Sequence, residues 1–238
     1  MAKMGGRKQL KRYSMPSVLR LPVKSHKWIT KPVPGPHPAD MSIPLRIIVR
    51  DLLKVARTAK EADRIIFSGK ILVDERVRKE PRFPVGFMDV VRIPEIRKTY
   101  RVSLDTLGRL NLIEIEEKES KKKLCRIVRK QMVRGGKIQL TMHDGRNVVG
   151  DLNDFKIGDT VELSLPDGKI IRRIPLSIGK LGIVTGGKNV GRMGRIEEIK
   201  KETGTVILST DGTKIETPLD YVFVVGEDSP AVTVVKAA

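Results

Sequence analysis

Apolar residues recur in the first part of the chain at the spacing of helices. Between residues 45 and 56 they fall every three or four positions, which predicts one amphipathic helix. Thr58 followed by Glu61 has the form of a capping box, and it predicts a second, short helix that ends at Gly69. The two predicted helices are joined almost without a loop.

The pattern then changes to one that is typical of strands. Residues 70–77 (KILVDERV) predict a tight hairpin that turns at Asp74 and Glu75. Beyond Tyr100 apolar and polar residues alternate, and Asp-Gly pairs at 144–145, 167–168 and 211–212 favour hairpin turns. A break at 175–179 divides these strands into two sets. We therefore predict small antiparallel barrels or half-barrels. The alternating runs are Tyr100/Val102/Leu104, Ile138/Leu140/Met142 and Val161/Leu163/Leu165.

Residues 1–40 differ from the rest of the chain in composition. They contain no acidic residue before Asp40 and many prolines, so alone they cannot bury enough apolar surface to offset their ordering entropy. Alone, this segment should be flexible. Apolar and aromatic residues between its charges favour a tail that orders against a nucleic-acid surface. The residues that we expect to contact RNA there are Arg7, Lys8, Lys11, Arg12, Arg20, Lys24, Lys27 and Trp28.

The formal charge of +19, from 47 Lys and Arg against 28 Asp and Glu, indicates a polyanionic partner. Nucleic acid is the leading candidate, and an anionic membrane surface is the weaker one. No apolar run approaches the roughly 18 residues that a membrane helix needs, so we expect a soluble, cytoplasmic protein.

Little in the sequence suggests a metal site or catalysis. The single cysteine, Cys125, lies in a strand-like segment and is expected to be semi-buried, and the three histidines have no metal-ligand spacing. We expect no metal and no cofactor. No pair of carboxylates and no Ser/His/Asp or Cys/His set has the context of an active site, so we predict a protein that is not an enzyme.

The glycine-rich stretch VTGGKNVGRMGRI, residues 184–196, raises the question of a P-loop. Gly186 and Gly191 have the correct spacing, but Arg192 and Met193 stand where a P-loop has Lys and Ser or Thr. The residues on both sides are strand-like, whereas a P-loop requires a following helix. The sequence therefore argues against nucleotide hydrolysis.

Residues 41–102 closely resemble the S4 domain, a small RNA-binding module of ribosomal proteins, pseudouridine synthases and some tRNA synthetases. The resemblance is carried by IPLRIIVRDLLKVARTAKEADRIIFSGKILVDERV and FPVGFMDVV. It implies that two helices and a hairpin lie against structured RNA. The positions carried over are Arg46, Arg50, Lys54, Arg57, Lys60, Arg64, Lys70, Arg76 and Arg78. Gly108 to Asn111 departs from the catalytic G-R-L-D of pseudouridine synthases, because an amide cannot replace the carboxylate.

KLGIVTGGKNVGRMGRIEEI resembles the KOW motif, in which a glycine-bearing loop joins two strands of an SH3-like barrel. The resemblance implies that Gly186, Gly187, Gly191 and Gly194 shape the loop. Lys188, Asn189 and Arg192 would then project toward phosphate or a protein neighbour.

The order of these parts resembles the ribosomal protein S4e family of archaea and eukaryotes across nearly the whole chain. The segments most specific to it are GRKQLKRYSMPSVLRLPVKSHKWITKPVPGPHP and HDGRNV, and the compact C-terminus looks archaeal. We predict an α+β multidomain chain with a basic extended tail (1–40), an S4 domain (41–102), a middle antiparallel β domain (103–174) and a KOW unit with a C-terminal tail (175–238).

The function that this organisation implies is structural. We expect a constituent of the small (30S) ribosomal subunit that binds 16S rRNA and neighbouring ribosomal proteins, with no membrane and no small-molecule substrate. Two alternatives stay open at this point: an RNA-modifying enzyme that uses its S4 domain for targeting, and a KOW-type transcription elongation factor.

Overall fold

The computed structural model describes residues 9–200, 202–210 and 212–234, and the chain is mostly β with few helices. The strands are β1 (Leu10–Lys11), β2 (Trp28–Ile29), β3 (Ser42–Pro44), β4 (Leu72–Val73), β5 (Arg76–Val77), β6 (Pro84–Gly86), β7 (Val90–Ile93), β8 (Lys98–Leu104), β9 (Leu110–Ile115), β10 (Lys122–Met132), β11 (Ile138–Met142), β12 (Asn147–Gly150), β13 (Thr160–Ser164), β14 (Ile170–Ile174), β15 (Leu181–Val184), β16 (Met193–Lys200), β17 (Thr205–Thr210), β18 (Thr213–Pro218) and β19 (Val222–Gly226). The α-helices are α1 (Leu45–Ile47), α2 (Ala59–Phe67) and α3 (Glu117–Ser120), with short 3-10 turns at Arg12–Ser14, Ala39–Met41, Pro94–Ile96 and Leu219–Tyr221.

The first predicted helix is shorter than its apolar spacing indicated. It runs as α1 and then as a π-helical turn over Ile48–Leu52, and Leu53 donates its N–H to the carbonyl of Ile48. Lys54 has φ = +53°, a left-handed conformation that ends the helix before Ala56. The prediction of one helix through Ala56 was therefore wrong at its C-terminal end.

The second helix begins and ends as predicted. The Thr58 side chain accepts the N–H of Glu61, and the Glu61 carboxylate accepts the N–H of Thr58, so the capping box is confirmed. After α2, Gly69 adopts φ = +76°, which closes the helix. Ala62 and Ile66 face the core and are fully buried.

The predicted hairpin is β4 and β5, and its turn is confirmed at Asp74 and Glu75, which both have positive φ. It belongs to a five-stranded sheet in the order β5-β4-β7-β8-β9. Strand β8 spans residue 102, the predicted end of the S4 unit, and β9 extends the same sheet. Strands β7, β8 and β9 thus extend the hairpin into one sheet, whereas β6 pairs with β3 in a separate two-stranded sheet.

Two further antiparallel sheets follow, one on each side of the break at 175–179. The first has the order β12-β11-β10-β13-β14, and the Asp-Gly pairs at 144–145 and 167–168 lie in its hairpin turns, as predicted. Its small core includes Cys125, which is fully buried where a semi-buried position was expected. The second sheet has the order β18-β17-β16-β15-β19, and Thr210 pairs with Thr213 across the third predicted turn.

The N-terminal and C-terminal segments both pack onto the hairpin sheet. Val18, Leu19 and Ile29 are buried in the same core cluster as the S4 helices, so residues 9–40 have protein partners that the sequence did not indicate. At the other end, Val232 and Val234 enter this cluster. None of the helices in the described part of the chain has the length and apolar character that a membrane-crossing helix needs.

Candidate nucleic-acid interface

The outer side of the S4 helices carries a group of exposed cations. Lys54, Arg57, Lys60 and Arg64 are exposed, and their side chains form no ion pair with any residue that the structure describes. Lys60 and Arg64 lie one turn apart on α2, and Arg57 directly precedes the capping residue. We call these four residues the free helix cations. They form a local excess of positive charge that no carboxylate of the described residues neutralises by direct contact.

Three other cations of the predicted S4 interface are already paired within the protein. Arg46 donates two hydrogen bonds to Asp63, at 2.6 and 2.8 Å, and so ties α1 to α2. Arg50 pairs with its neighbour Asp51 at 2.7 Å, and Lys70 pairs with Glu95 at 2.7 Å. An RNA phosphate would have to compete with these carboxylates for the guanidinium or ammonium groups, so the contact of these three residues with RNA stays a prediction.

The hairpin arginines are placed differently from the helix residues. Arg76 is exposed and donates a hydrogen bond of 3.1 Å to the carbonyl of Pro166. The guanidinium of Arg78 lies 4.5 Å from the centre of the Phe83 ring. Burial lowers the pKa of Arg78, and the nearby charge of Arg76 lowers it further. Two like charges are therefore held close together at this hairpin.

The N-terminal site residues divide into exposed and buried ones. The Nζ of Lys27 lies 5.6 Å from the centre of the Trp28 ring, which is 47% exposed, and Lys11 pairs with Trp28 across β1 and β2. This arrangement offers an aromatic face beside two positive charges. Arg20 and Lys24 are also exposed, whereas Arg7 and Lys8 lie outside the described residues.

Arg12 does not face the solvent as expected. Its side chain is buried, and its Nε donates a hydrogen bond of 2.7 Å to the carbonyl of Pro22. A guanidinium in this position closes the loop between β1 and β2. Arg12 therefore supports the N-terminal fold, and its contact with RNA stays a prediction.

The glycine-rich stretch forms the turn between β15 and β16, with Gly182 opposite Gly194. A strand follows the loop, as the sequence indicated, and not the helix that a P-loop requires. The loop is closed by a hydrogen bond of 2.8 Å from the N–H of Gly191 to the carbonyl of Val184. Lys188 and Arg192 are exposed at its tip without an ion pair to the described residues, and Asn189 is half-buried.

The glycines of this loop lie against other parts of the protein. A Cβ on Gly191 would overlap the carbonyl of Asp105, and one on Gly186 would lie 2.8 Å from the Tyr221 ring. A Cβ on Gly194 would overlap the carbonyl of Ser209, while Gly187 has φ = +79°. Close packing against the protein thus accounts for three of the glycines, and backbone conformation accounts for the fourth.

A buried cluster of charges joins the parts of the chain that carry these cations. The Nζ of Lys123 lies 2.7 Å from Asp74, 2.5 Å from Asp89 and 2.9 Å from Asp144. We call this group, with Arg146 and His37, the Lys123 cluster. The sequence does not predict this cluster, because a lysine in the run KKKLCRIV is typical of a surface position. The segment HDGRNV, which contributes Asp144 and Arg146, is the one signal that points to it.

The members of the Lys123 cluster come from five places in the fold: the N-terminal segment, the β4–β5 turn, the β6–β7 turn, β10 and the β11–β12 turn. Arg146 pairs with Asp74 at 2.5 Å and with Asp144 at 3.1 Å, and His37 contacts Asp89 at 3.0 Å. The cluster thus links the N-terminal segment and the β4–β5 turn to the middle sheet. It fixes the hairpin relative to β10 and β11.

Burial and charge act in opposite directions on the pKa values of this cluster. Burial alone would lower the pKa of Lys123, but Asp74 and Asp89 raise it well above its usual value. Burial alone would raise the pKa of Asp144, but Lys123 lowers it to about 2, and the pKa of Asp89 is lowered by Lys123 and His37. These groups are therefore charged at neutral pH and hold one another in place.

His143 lies beside the cluster in a group of aromatic rings. Its ring centre lies 5.5 Å from that of Phe223 and 5.9 Å from that of His37. Burial, followed by the charge of Lys123, lowers the pKa of His143 to about 4. A neutral His143 accepts the N–H of Arg126 and contacts the carbonyl of Phe87. It packs the middle sheet against the C-terminal sheet.

Three family models match successive parts of the chain. The model described as the RS4NT (NUC023) domain matches residues 4–40, the S4 domain model matches 47–91, and the model described as Ribosomal family S4e matches 96–170. The S4 match contains all of the free helix cations.

Curated relatives match over nearly the full length. "Small ribosomal subunit protein eS4" of Methanothermobacter thermautotrophicus is 47% identical over 98% of both chains, and that of Methanocaldococcus jannaschii is 45% identical over 98% of this chain and 99% of its own. The protein of the same name from Staphylothermus marinus is 43% identical, with both chains fully covered.

A solved structure has a similar fold over most of the chain. The crystal structure of the 30S ribosomal protein S4e from Thermoplasma acidophilum is 34% identical, with a TM-score of 0.69, and the match covers 79% of this chain and 96% of that one. The sequence and the fold thus indicate the same group of proteins.

Proposed function

Since this chain belongs to the ribosomal S4e family, we propose that it is a structural constituent of the small ribosomal subunit and that the protein binds 16S rRNA through several separate basic surfaces. Its other partners are neighbouring proteins of that subunit, and its location is the cytoplasmic ribosome. The role is not catalytic. It supports subunit assembly and translation by positioning RNA elements.

One observation carries this proposal: among the residues that the structure describes, the free helix cations have no carboxylate partner. Many other cations, such as Arg46 and Lys70, form ion pairs with acidic residues of the chain. RNA phosphates would supply the missing anions, and the release of condensed counterions would favour binding. The S4 helices would then recognise the shape and phosphate positions of folded RNA more than its base sequence.

Two further surfaces fit the same partner. The tip of the β15–β16 loop presents Lys188 and Arg192, and the N-terminal strand pair presents Trp28 beside Lys11 and Lys27. An exposed aromatic ring next to cations suits an unpaired RNA base. Because the surfaces belong to one chain, each contact raises the effective concentration of the next.

The division into units is part of this proposal. Residues 1–40, 41–102, 103–174 and 175–238 would act as the N-terminal extension, S4 domain, middle β domain and KOW unit, with β8 crossing the boundary at residue 102. The last unit would form an SH3-like barrel from the sheet that begins at β15.

Equilibrium binding to 16S rRNA over a range of salt concentrations tests the proposal. Neutralising Arg57, Lys60 and Arg64 together to Gln should lower the slope of log K against log salt by about three, because each lost phosphate contact removes about one unit. The matched control neutralises Lys118, Lys156 and Lys169 to Gln, which removes the same charge from exposed positions elsewhere. If both triple variants change the slope equally, net charge and not the S4 helices drives binding.

The two rival roles predict different outcomes. An RNA-modifying enzyme should convert nucleosides in rRNA fragments, and Asp105→Ala should abolish that turnover. Asn111, at the position of the catalytic Asp of pseudouridine synthases, instead accepts the N–H of Leu112 at 2.9 Å. A transcription elongation factor should copurify with RNA polymerase and not with small subunits. We expect neither turnover nor polymerase binding.

A further inference from the structure

A cavity of about 390 Å³ lies where the N-terminal segment, the β4–β5 hairpin and the β11–β12 turn meet. Three arginines line it, Arg76 and Arg78 from the hairpin and Arg146 from the turn, next to the Lys123 cluster. The backbone at Gly35 and Gly145 forms part of its wall.

The carboxylates beside this cavity have their oxygens occupied by donors of the protein. Asp74 accepts the N–H of Val90 at 3.0 Å as well as Lys123 and Arg146. Asp89 likewise accepts the N–H of Gly86 at 2.9 Å in addition to Lys123 and His37. Asp144 accepts from Lys123 and Arg146. The acidic groups are therefore engaged in holding the fold.

The arginines, in contrast, keep donors without acceptors. No described residue accepts a hydrogen bond from the side chain of Arg78, whose Nε is buried, and the buried Nη1 of Arg146 also has no acceptor. Arg12 and Arg101 each keep one such nitrogen too, but they do not line this cavity. Nε and Nη2 of Arg146 are bonded to Asp144 and Asp74, so its Nη1 is the donor that stays free among the described residues. A buried donor without an acceptor is costly, and here two such donors belong to arginines that line one cavity.

The like charges of these arginines add to that cost. Burial lowers the pKa of Arg78, and the charges of Arg76 and Arg146 lower it further, while Asp74 and Asp89 act in the opposite direction without cancelling the shift. An anion with several acceptor oxygens would relieve both the repulsion and the unmet hydrogen bonds. A phosphate matches the fork of a guanidinium, and arginine is the side chain best suited to hold it in a fixed geometry.

We propose that this cavity binds one phosphate group through Arg76, Arg78 and Arg146. The phosphate would come from an RNA backbone, in which case the site rests on the function proposed above, or from free inorganic phosphate. In either case Arg146, which the S4 resemblance does not include, completes a site begun by the two hairpin arginines.

Two measurements on the full chain test the site. In the first, the Nε–Hε resonances of the ¹⁵N-labelled protein are followed while inorganic phosphate replaces chloride at constant ionic strength. The Arg78 resonance should shift and saturate, and Arg78→Gln should weaken phosphate binding by about tenfold or more. Arg97→Gln, at an exposed position without an ion pair to the described residues, should leave it unchanged.

The second measurement identifies the source of the phosphate. Arg78→Gln should lower the salt slope of 16S rRNA binding by about one if the group belongs to RNA. An unchanged slope together with phosphate binding assigns the site to free phosphate and contradicts an RNA source. The proposal is wrong if the Arg78 resonance does not shift with phosphate and Arg78→Gln leaves the salt slope of rRNA binding unchanged. If the wild-type chain does not bind rRNA, the proposed function fails. The phosphate titration still shows in that case whether the cavity binds phosphate. Circular dichroism establishes that each variant is folded.

Discussion

The Nζ of Lys123, on strand β10, lies 2.7 Å from a carboxylate oxygen of Asp74, at the tip of the S4 hairpin turn. Both side chains are almost completely inaccessible to solvent, at 0% and 7%. Because Asp74 also bonds the N–H of Val90, the ion pair connects the hairpin turn, β7 and the middle sheet. The surface that carries the S4 cations is thereby fixed relative to the rest of the protein.

Replacing Lys123 by Met should destabilise the protein strongly. The change leaves Asp74, Asp89 and Asp144 without their common cation in a buried site, and the loss of one partner of a buried ion pair costs about 3–5 kcal/mol. Urea unfolding measures the change in the free energy of unfolding. Lys121→Met, at an exposed neighbouring position, is the control and should change it by less than about 0.5 kcal/mol. Equal effects of the two variants would contradict a structural role for the cluster.

Stability should fall in two steps as the pH is lowered. The pKa of His143 is about 4 in the folded protein against 6.5 ordinarily, so its contribution is complete above about pH 6.5 and is lost as the pH falls toward 4. The pKa of Asp144 is lowered from 3.8 to about 2, so its contribution is lost as the pH falls from about 4 toward 2. Urea unfolding at a series of pH values measures both steps.

The variant His143→Gln separates the two steps. Glutamine does not titrate, so the plot of the free energy of unfolding against pH should become flatter between pH 6.5 and 4. The decline below pH 4 should remain. The lost ring contacts should lower stability by the same amount at every pH, so the slope and not the height of the curve is the readout. A slope identical to that of the wild type would show that His143 does not titrate as described.

Gly191 should tolerate alanine poorly although its loop is at the surface. Alanine there would have to adopt φ = +77° and would overlap the carbonyl of Asp105. Gly204 is the matched control, because it has φ = +65° with nothing near its Cβ position. We expect Gly204→Ala to cost about 1 kcal/mol, and Gly191→Ala about 1–3 kcal/mol more. If thermal unfolding gives equal losses, the loop does not pack against the β8–β9 turn.

Thr58→Ala should weaken the helix that carries two of the free helix cations. Loss of the capping oxygen leaves the N–H of Glu61 without its partner and should cost about 1 kcal/mol. Thr58→Ser keeps the oxygen and should restore the free energy of unfolding. Affinity for 16S rRNA should follow the same order, since Lys60 and Arg64 depend on α2 for their spacing. Equal stability of the two variants would contradict the capping role.

The local features of this fold could be predicted from the sequence. The capping box at Thr58, the turn at Asp74 and Glu75 and the Asp-Gly turn at 144–145 are each determined by a few adjacent residues. Their backbone conformations follow from hydrogen bonds and steric limits that act over short distances. For this reason the predicted cap and turns agree with those in the structure.

The buried charges could not be predicted in this way. Arg101 alternates with apolar residues in β8 as a surface residue would, yet it is buried because α3 and the C-terminal segment cover it and Glu119 pairs with it at 3.0 Å. Lys123 is buried for the same kind of reason, since its partner Asp89 comes from a distant turn. Tertiary neighbours also determine which cations of the candidate interface have an ion pair, as the pairing of Arg46 with Asp63 shows.

Sedimentation of the full chain with small ribosomal subunits through a sucrose gradient at low salt tests the central claim most directly. The account predicts that the protein comigrates with the subunit, and that the variant with Arg57, Lys60 and Arg64 neutralised dissociates at lower salt than the wild type. A wild-type protein that stays at the top of the gradient at low salt would contradict it.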